Sequence, residues 1–375
     1  MQFRDLKRQY EYNKDNIDNA IQSVISSARF IQGDEVRALE SELADYVGVQ
    51  HCITCANGTD ALQLALMAWD IGEGDAVFVP DFTFFSSGEV VSAVGATPIF
   101  VDVDIDTYNI DSKRLEEQIS KVIQEGKITP KVVIAVDLFG LPADYESISE
   151  MCNKYNLLLL EDGAQGFGGA IGDKRVCSFG DISTTSFFPA KPLGCYGDGG
   201  AVFTDNDEWA NLIRSYCVHG KGDNKYDNVR IGMNSRLDAI QAAVLRAKIP
   251  VFEESELDAI QIVAERYTSK LQDYVKCPVV PNGYASAWAQ YTIQLTNREE
   301  RDTLQLRLKE YDVPSMVYYQ KPMHMQLAFD KYGYNDSEYE VCNKLCDIVL
   351  SLPIHPYMKD EEIDEVVKVI VDFVN

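Results

Sequence analysis

Short apolar runs alternate with longer amphipathic segments up to about residue 218, and this alternation constrains the fold more than any other feature of the sequence. The strand-like runs are 51–56, 76–80, 98–103, 131–140, 156–162, 182–188 and 200–204, and the clearest helix-like segments are 60–69, 87–95 and 145–156. This pattern predicts an α/β fold, in which βα units build a mostly parallel central sheet covered by helices on both faces. In such a sheet, ligands bind at the carboxyl ends of the strands.

The second half of the chain has a different pattern. A helical stretch over 234–248 resumes after Pro250, which is expected to kink or break it. Beyond about residue 277, short strands such as 289–297 are followed by helices such as 298–311. These patterns predict a large domain over residues 1–248 and a smaller C-terminal α+β domain over residues 249–375.

The overall charge excludes some classes of partner. Acidic residues number 59 against 34 basic ones, a formal net charge of -25, which opposes binding to nucleic acid or to an anionic membrane. No stretch has the roughly 18 apolar residues of a membrane span. The nine cysteines lack framework spacing, which fits a reducing cytoplasm. The pair Cys52 and Cys55 has no second ligand pair, so no metal site is predicted.

One local patch carries the opposite charge. Residues 214–236 contain five basic residues against two acidic ones; the basic residues are Arg214, Lys221, Lys225, Arg230 and Arg236. The patch either balances an acidic surface or binds a small anion, because a local patch can override the average charge.

Two features at the ends of predicted strands suggest an acid and an anion site. Asn-Gly-Thr59-Asp60 begins a helix, where free backbone N–H groups and the Thr59 hydroxyl form an anion site or an ordinary N-cap. Four leucines lead into Asp162, which places a carboxylate at the end of a buried strand. A buried acid of this kind needs a partner.

Lys191 lies close to two prolines and follows Ser186-Phe-Phe. Burial lowers the pKa of a lysine, and a neutral amine is the form that attacks a carbonyl to give a Schiff base. The alternative is a lysine whose stem lies along apolar surface while its amine reaches water. Just after another strand, Phe82, Phe84 and Phe85 are either core residues or rings that stack on a flat ligand.

Together, these features are the parts that pyridoxal 5'-phosphate requires: phosphate ligands, a stacking ring, an acid for the pyridine nitrogen and a Schiff-base lysine. A nicotinamide-dependent dehydrogenase is the rival enzyme class. The glycines at 166, 168 and 169 do not have the G-x-G-x-x-G spacing that it needs, and it leaves Lys191 unexplained.

The chain resembles the DegT-type sugar aminotransferases, fold-type-I enzymes that use pyridoxal phosphate. The resemblance rests on motifs that include FRDLKRQY, ANGTDALQLAL, PDFTFF, LEDGAQGFG, SFFPAKPLGCYGDGGA, GMNSRLDAIQAA and LPIHPYM. It implies that Lys191 forms the Schiff base, that Asp162 pairs with the pyridine nitrogen and that Gln165 lies near the phenolic oxygen. The remaining cofactor contacts that it implies are Thr59, the backbone of Asp60 and Ser186 at the phosphate, Phe84 on the ring, and Asn234 from the other subunit of a homodimer.

Two of these motifs also resemble those of enzymes that aminate UDP-2-acetamido-2-deoxy-3-oxo-glucuronate with glutamate, in bacterial surface-polysaccharide (O-antigen) synthesis. This resemblance implies that Arg236 of the other subunit binds the sugar carboxylate, with His219 nearby. Tyr318-Tyr319 stands where the family often has His-Tyr, and Tyr318, Tyr319 and His324 are expected on the substrate loop.

Two alternatives stay open at this point. One is an aminotransferase for a dTDP-linked 3-keto-6-deoxyhexose. The other is a non-catalytic sensor that binds the cofactor or a sugar. The presence of Asp162, Gln165 and Lys191 favours an enzyme, and lysine at position 191, where related dehydrases have histidine, favours amino transfer.

Overall fold

A seven-stranded sheet forms the centre of the molecule, in a computed structural model that describes residues 1–224 and 226–375. The strands in chain order are β1 (His51–Cys55), β2 (Asp75–Pro80), β3 (Thr97–Val101), β4 (Thr129–Val136), β5 (Leu158–Asp162), β6 (Ala170–Ile171), β7 (Lys174–Arg175), β8 (Ile182–Ser186), β9 (Gly200–Thr204), β10 (Tyr284–Ala285), β11 (Tyr291–Gln294) and β12 (Val349–Leu352). The central sheet has the order β1-β9-β8-β5-β4-β2-β3.

Helices cover this sheet and build the rest of the chain. They are α1 (Leu6–Tyr12), α2 (Lys14–Ser27), α3 (Asp34–Val47), α4 (Gly58–Ala68), α5 (Ser86–Ala93), α6 (Ser112–Glu125), α7 (Tyr145–Tyr155), α8 (Asp207–Tyr216), α9 (Ala239–Val251), α10 (Leu257–Leu271), α11 (Arg298–Glu310), α12 (Glu340–Ile348) and α13 (Asp360–Val374). None of the described helices is both long and apolar enough to cross a membrane.

The sheet is parallel except at β9, which pairs antiparallel with β1 on one side and β8 on the other. Its central strands are buried on both faces, which explains their continuous apolar sequence. In the register of the sheet, Asp162 pairs with Val136 of β4 and with Thr184 of β8. The carboxyl ends of β4, β5 and β8 therefore meet at one edge. The predicted α/β fold with a mostly parallel sheet is confirmed.

The structure corrects the prediction for the long helix. The helix begins at Ala239 rather than 234, because Asn234 and Asp238 instead form isolated β-bridges, with Val218 and with Ile31. Pro250 does not break the helix. A π-helical turn over Phe252–Glu256 follows it and leads directly into α10. Such turns accommodate irregular hydrogen bonding inside a longer helix.

A second hydrophobic core lies among α10, α11, α13 and the β11–β12 pair. The segment that contains Met323, Phe329 and Cys342 packs instead on the core of the central sheet. The N-terminal helix α1 also contacts the C-terminal helix α13, through Arg8 and Glu362. The division into residues 1–248 and 249–375 stays a prediction.

Candidate active site

Asp162 is the last residue of β5, and its carboxylate is buried at the sheet edge. One oxygen, Oδ2, accepts a hydrogen bond from the Ser87 hydroxyl at 2.8 Å, and Oδ1 accepts a longer one from the N–H of Ala164 at 3.3 Å. Burial raises the pKa of Asp162, whereas the Ser87 hydrogen bond and the charge of Lys191 lower it. Asp162 is therefore an acid whose charged form depends on a cationic partner.

Lys191 follows β8 in a loop that closes on itself. The N–H of Lys191 donates to the carbonyl of Phe188, and the N–H of Cys195 donates to the carbonyl of Phe187, both at 2.8 Å. A Cβ on Gly194 would lie 2.5 Å from the carbonyl oxygen of Pro189, so this turn requires glycine.

The Lys191 side chain is half-buried, and its amine has no hydrogen bond or ion pair within residues 1–224 and 226–375. The pKa of Lys191 is lowered to about 8, mainly by burial; the charge of Asp162 opposes this effect, and the charge of Arg4 adds a smaller lowering. A large fraction of this amine is therefore neutral near pH 8, as a Schiff-base nucleophile requires.

The N-terminus of α4 lies against the end of β8. Gly58 allows this approach, because a Cβ at that position would lie only 2.7 Å from the Cβ of Ser186. The Thr59 hydroxyl is 2.8 Å from the Ser86 hydroxyl at the start of α5. The first N–H groups of a helix have no acceptor within it and favour anions. Thr59 and Ser186 thus flank a potential anion site.

The backbone of Asp60, which the resemblance assigns to the phosphate, has another partner in the structure. The side-chain oxygen of Asn57 caps α4 and accepts a hydrogen bond from the Asp60 N–H at 2.8 Å. The backbone donor that the resemblance assigned to the phosphate is thus already paired in this structure. The two N–H groups that precede it, those of Gly58 and Thr59, are left for an anion.

The three phenylalanines after β2 have different environments. Phe82 is fully buried, and Phe85 packs on Phe329 with ring centroids 5.2 Å apart. Phe84 keeps 55% of its surface exposed. Of the three, Phe84 has the ring most available to a flat ligand.

Gln165 is buried beside this edge and is held at both ends of its amide. Its Oε1 accepts a hydrogen bond from the N–H of Phe139 at 3.0 Å, and its Nε2 donates to the Tyr319 hydroxyl at 3.3 Å. Tyr318 is half-buried, and its ring lies 6.4 Å from that of Phe3. The structure thus brings Tyr319 to Gln165, which places the loop of the two tyrosines next to the candidate site.

His324, predicted on the substrate loop, has a different role in the structure. It is buried, its Nδ1 is 2.7 Å from Asp81 and its Nε2 is 3.0 Å from Asp336. Its ring also stacks on Tyr339. Because both ring nitrogens are engaged, His324 anchors the loop to the end of β2 and leaves no nitrogen for a substrate.

The residues expected to act from another subunit form a separate group on the segment between α8 and α9. Arg236 donates a hydrogen bond to the side chain of Asn234, and the carbonyl of His219 accepts one from Asn228. In the described part of the chain, none of the expected three is hydrogen-bonded to Lys191 or Asp162. Lys225 of the basic patch lies outside the described residues.

Sequence reasoning missed two contributors to the site. Ser87 binds the Asp162 carboxylate, and Arg4 binds the backbone of the Lys191 loop. A weak signal existed for Ser87, because two serines follow the PDFTFF motif at the start of a predicted helix. Arg4 lies in the FRDLKRQY motif, but nothing in that motif indicates a contact with the Lys191 loop.

Comparison with known proteins finds similarity over nearly the whole chain. Residues 11–371 match the DegT/DnrJ/EryC1/StrS aminotransferase family. A Pseudomonas aeruginosa relative, UDP-2-acetamido-2-deoxy-3-oxo-D-glucuronate aminotransferase, is 43% identical over 361 residues, 96% of each chain. Another from Acidithiobacillus ferrooxidans, UDP-N-acetyl-3-dehydro-alpha-D-glucosamine 3-aminotransferase, is 39% identical and covers 98% of this chain and 96% of its own.

The similarity extends to solved structures. The crystal structure of a DegT DnrJ EryC1 StrS aminotransferase from Brucella abortus is 47% identical, with a TM-score of 0.97 and full coverage of both chains. These matches confirm the family that the motifs predicted.

Proposed function

We propose that this chain, which belongs to the DegT/DnrJ/EryC1/StrS aminotransferase family, transfers the amino group of L-glutamate to the 3-keto carbon of a UDP-linked sugar. The best-supported substrate is UDP-2-acetamido-2-deoxy-3-oxo-glucuronate, and the process served is bacterial surface-polysaccharide synthesis. The observation that carries the proposal is that the Lys191 amine has no hydrogen bond or ion pair with any described residue and interacts electrostatically with the buried Asp162 carboxylate at the same sheet edge.

The cofactor is pyridoxal 5'-phosphate, on which enzymes of this family depend. When bound, it supplies the electron sink for proton removal at the amino-bearing carbon. The residues at the strand edge fit it. Asp162 offers a carboxylate to the ring nitrogen, and exposed Phe84 offers a stacking face. The N–H groups at the start of α4, with Thr59 and Ser186, offer donors to the phosphate.

Lys191 acts as the acid and base of the proposed reaction. With its pKa lowered to about 8, mainly by burial, it takes the proton from Cα of glutamate and later gives a proton to C3 of the sugar. Asp162 keeps a negative charge opposite this amine. Gln165, fixed by Phe139 and Tyr319, keeps an amide at a constant position beside the reacting groups.

Substrate recognition is proposed for Arg236 and His219 of a second subunit. A free carboxylate at C6 of the sugar favours a planar guanidinium, which Arg236 supplies. Both relatives described above act, by name, on UDP-linked 3-oxo sugars. Other members of the family act on dTDP-linked sugars, so the test compares UDP-linked and dTDP-linked substrates.

The test is an absorbance scan of the purified protein before and after glutamate is added. The lysine-bound cofactor absorbs in the visible range, and we expect glutamate to bleach this band. The UDP-linked keto-sugar is expected to restore the band, more effectively than a dTDP-linked one. Lys191→Ala is expected to lose steady-state turnover, whereas Lys174→Ala, the same substitution at an exposed lysine, keeps it.

Three outcomes contradict parts of the proposal. A protein that shows no band after pyridoxal phosphate is added does not use the cofactor in this way. A band that glutamate leaves unchanged removes glutamate as the donor. A band that bleaches but that no keto-sugar restores indicates a sensor or a different acceptor.

A further inference from the structure

Two basic side chains, half-buried Arg4 and buried Lys248, hold the backbone carbonyls of the Lys191 loop. Arg4 donates through Nη2 to the carbonyls of Lys191, at 3.1 Å, and Pro192, at 3.3 Å. Lys248 of α9 donates through Nζ to the carbonyl of Gly194 at 2.7 Å. The pKa of Lys248 is lowered to about 8, mainly by burial, so this donor is mostly charged at pH 7. Three of the four carbonyls from Lys191 to Gly194 therefore accept hydrogen bonds from charged donors, which are stronger than neutral ones.

The N-terminal segment that carries Arg4 is tied to the far end of the chain. The carbonyl of Phe3 accepts a hydrogen bond from the N–H of Ile354 at 3.2 Å. Arg8 makes two hydrogen bonds to the Glu362 carboxylate, each 2.7 Å long. The residues on both sides of Arg4 are thus fixed by contacts outside the Lys191 loop, and residues 3–8 are called the N-terminal strap.

The charge of Arg4 is incompletely compensated. Its Nη1 is buried and has no hydrogen-bond partner among the described residues. Burial lowers the pKa of Arg4 to about 10, and the nearby carboxylate of Glu256 acts in the opposite direction. A buried donor without a partner is unfavourable and calls for an explanation.

The Glu256 carboxylate accepts its hydrogen bonds from neutral side chains among the described residues, and not from a cation. It lies in the π-helical turn, and its Oε1 accepts hydrogen bonds from Gln9 at 2.9 Å and from the Tyr357 hydroxyl at 2.5 Å. Gln9 in turn accepts a hydrogen bond from Lys248 at 2.9 Å. Nearby His355 is neutral at pH 7, because burial lowers its pKa to about 4. Two cations therefore face one carboxylate behind the loop.

We propose that Arg4 and Lys248 are positioning residues for Lys191, which fix the carbonyls of its loop while the charge of Arg4 disfavours the protonated amine. Arg4 and Asp162 act on Lys191 in opposite directions: Asp162 at the end of β5 favours the ammonium, and Arg4 on the N-terminal strap opposes it. The proposal rests on Lys191 being the reactive amine of the proposed function. It adds that Arg4, far from Lys191 in the sequence, contributes to the reactivity of that amine.

The experiment measures the protonation of Lys191 directly in the full-length protein after pyridoxal phosphate has been removed. Trace labelling with acetic anhydride across a pH series, followed by peptide mass spectrometry, gives the pH midpoint at which Lys191 becomes reactive. We expect a midpoint near 8 in the wild type. In Arg4→Gln it rises by about one pH unit, the order expected when a charge within roughly 10 Å is removed at an effective dielectric of about 20.

Two variants serve as controls. Lys7→Gln removes one positive charge from α1, three residues after Arg4, but Lys7 is exposed and pairs with Glu11, so the midpoint is expected to stay unchanged. Arg4→Lys keeps the charge and is expected to keep a midpoint close to the wild-type value. Thermal melts of all variants show whether each protein is folded.

If folded Arg4→Gln and Lys7→Gln have the same pH midpoint for Lys191, Arg4 does not lower the pKa of the amine and the proposal is overturned. Should Arg4→Gln fail to fold, Lys248→Met provides the second test. It is expected to slow the bleaching of the cofactor band by glutamate at least about tenfold through loss of the Gly194 contact, a charged hydrogen bond. An unchanged bleaching rate contradicts the role of Lys248. A failure of the proposed function itself differs from these results, since it leaves the wild-type band unmoved by glutamate.

Discussion

At the scale of single residues, the site depends on two ionisable groups for which burial disfavours the charged form. Burial raises the pKa of Asp162 and lowers that of Lys191, and the charge of each opposes the effect of burial on the other. The Ser87 hydroxyl adds a hydrogen bond that favours the Asp162 carboxylate. Removal of the charge on one of the two residues therefore also changes the pKa of the other.

Asp162→Asn tests this coupling. The substitution keeps the shape of the side chain and is expected to keep the fold, but it removes the negative charge. A hydrogen bond to a charged group contributes about 1.5–3 kcal/mol, so the rate of the glutamate half-reaction should fall by about ten- to a hundredfold or more. Stopped-flow absorbance measures this rate. The matched control is Asp144→Asn, an exposed helix cap where asparagine is equally suitable; equal rates in the two variants would remove Asp162 from the cofactor role.

At the scale of elements, local patterns predicted the strands and their ends, because apolar periodicity and chain reversals are written in adjacent residues. Lys191, Asp162 and the start of α4 followed from those ends. The contacts that complete the site join residues far apart in sequence: Ser87 to Asp162 across 75 positions, Arg4 to Lys191 across 187 and Asp81 to His324 across 243. No local pattern encodes such pairs. The sequence therefore predicts that His324 binds substrate, whereas in the structure it anchors a loop through Asp81 and Asp336.

The contact between α4 and β8 gives a second prediction. In Gly58→Ala the new Cβ would lie 2.7 Å from the Cβ of Ser186, so the helix start and the strand end must separate. Overpacking of this kind costs about 1–3 kcal/mol, and it displaces the donors proposed for the phosphate. We expect weaker retention of pyridoxal phosphate, measured by fluorescence titration. Gly72→Ala is the control, since its Cβ would meet nothing closer than 3.7 Å; similar affinities in both variants would place the phosphate elsewhere.

The His324 anchor predicts a pH-dependent stability. Burial alone lowers the pKa of His324, but hydrogen bonds and charges from Asp81 and Asp336 outweigh it, so the pKa ends above 6.5. A raised pKa in the folded state means that the stabilisation is complete below pH 6.5 and is lost as pH rises through the folded-state value. His324→Gln should therefore cost about 3 kcal/mol at pH 6 and distinctly less at pH 9.

Differential scanning calorimetry at both pH values measures this effect as the difference in thermal midpoint between the variant and the wild type. An equal difference at pH 6 and pH 9 would mean that the charge of His324 contributes nothing to the anchor.

At the scale of the whole molecule, large apolar side chains lie exposed both beside the candidate site and on the segment that carries Arg236. Phe84 and Phe188, beside the site, keep 55% and 52% of their surface exposed, and Ile231, on that segment, keeps 90%. Exposed apolar groups near one site are typical of a surface that another protein covers. A second copy of the chain in that position would bring its own Arg236 and Asn234, which are expected to serve a neighbouring site.

The shared site can be tested by complementation between two inactive variants. Lys191→Ala removes the reactive amine, and Arg236→Ala removes the proposed carboxylate ligand. If each site takes Lys191 from one subunit and Arg236 from the other, a mixed dimer contains one site that lacks both groups and one that is intact. Random pairing then restores about a quarter of the wild-type activity in an equal mixture of co-expressed variants.

Two different affinity tags isolate the mixed dimers, and the glutamate-dependent amination of the UDP-sugar measures their activity. If Arg236 acted within its own subunit, both sites of the mixed dimer would lack one group, and the isolated mixed dimers would be as inactive as the two parent variants.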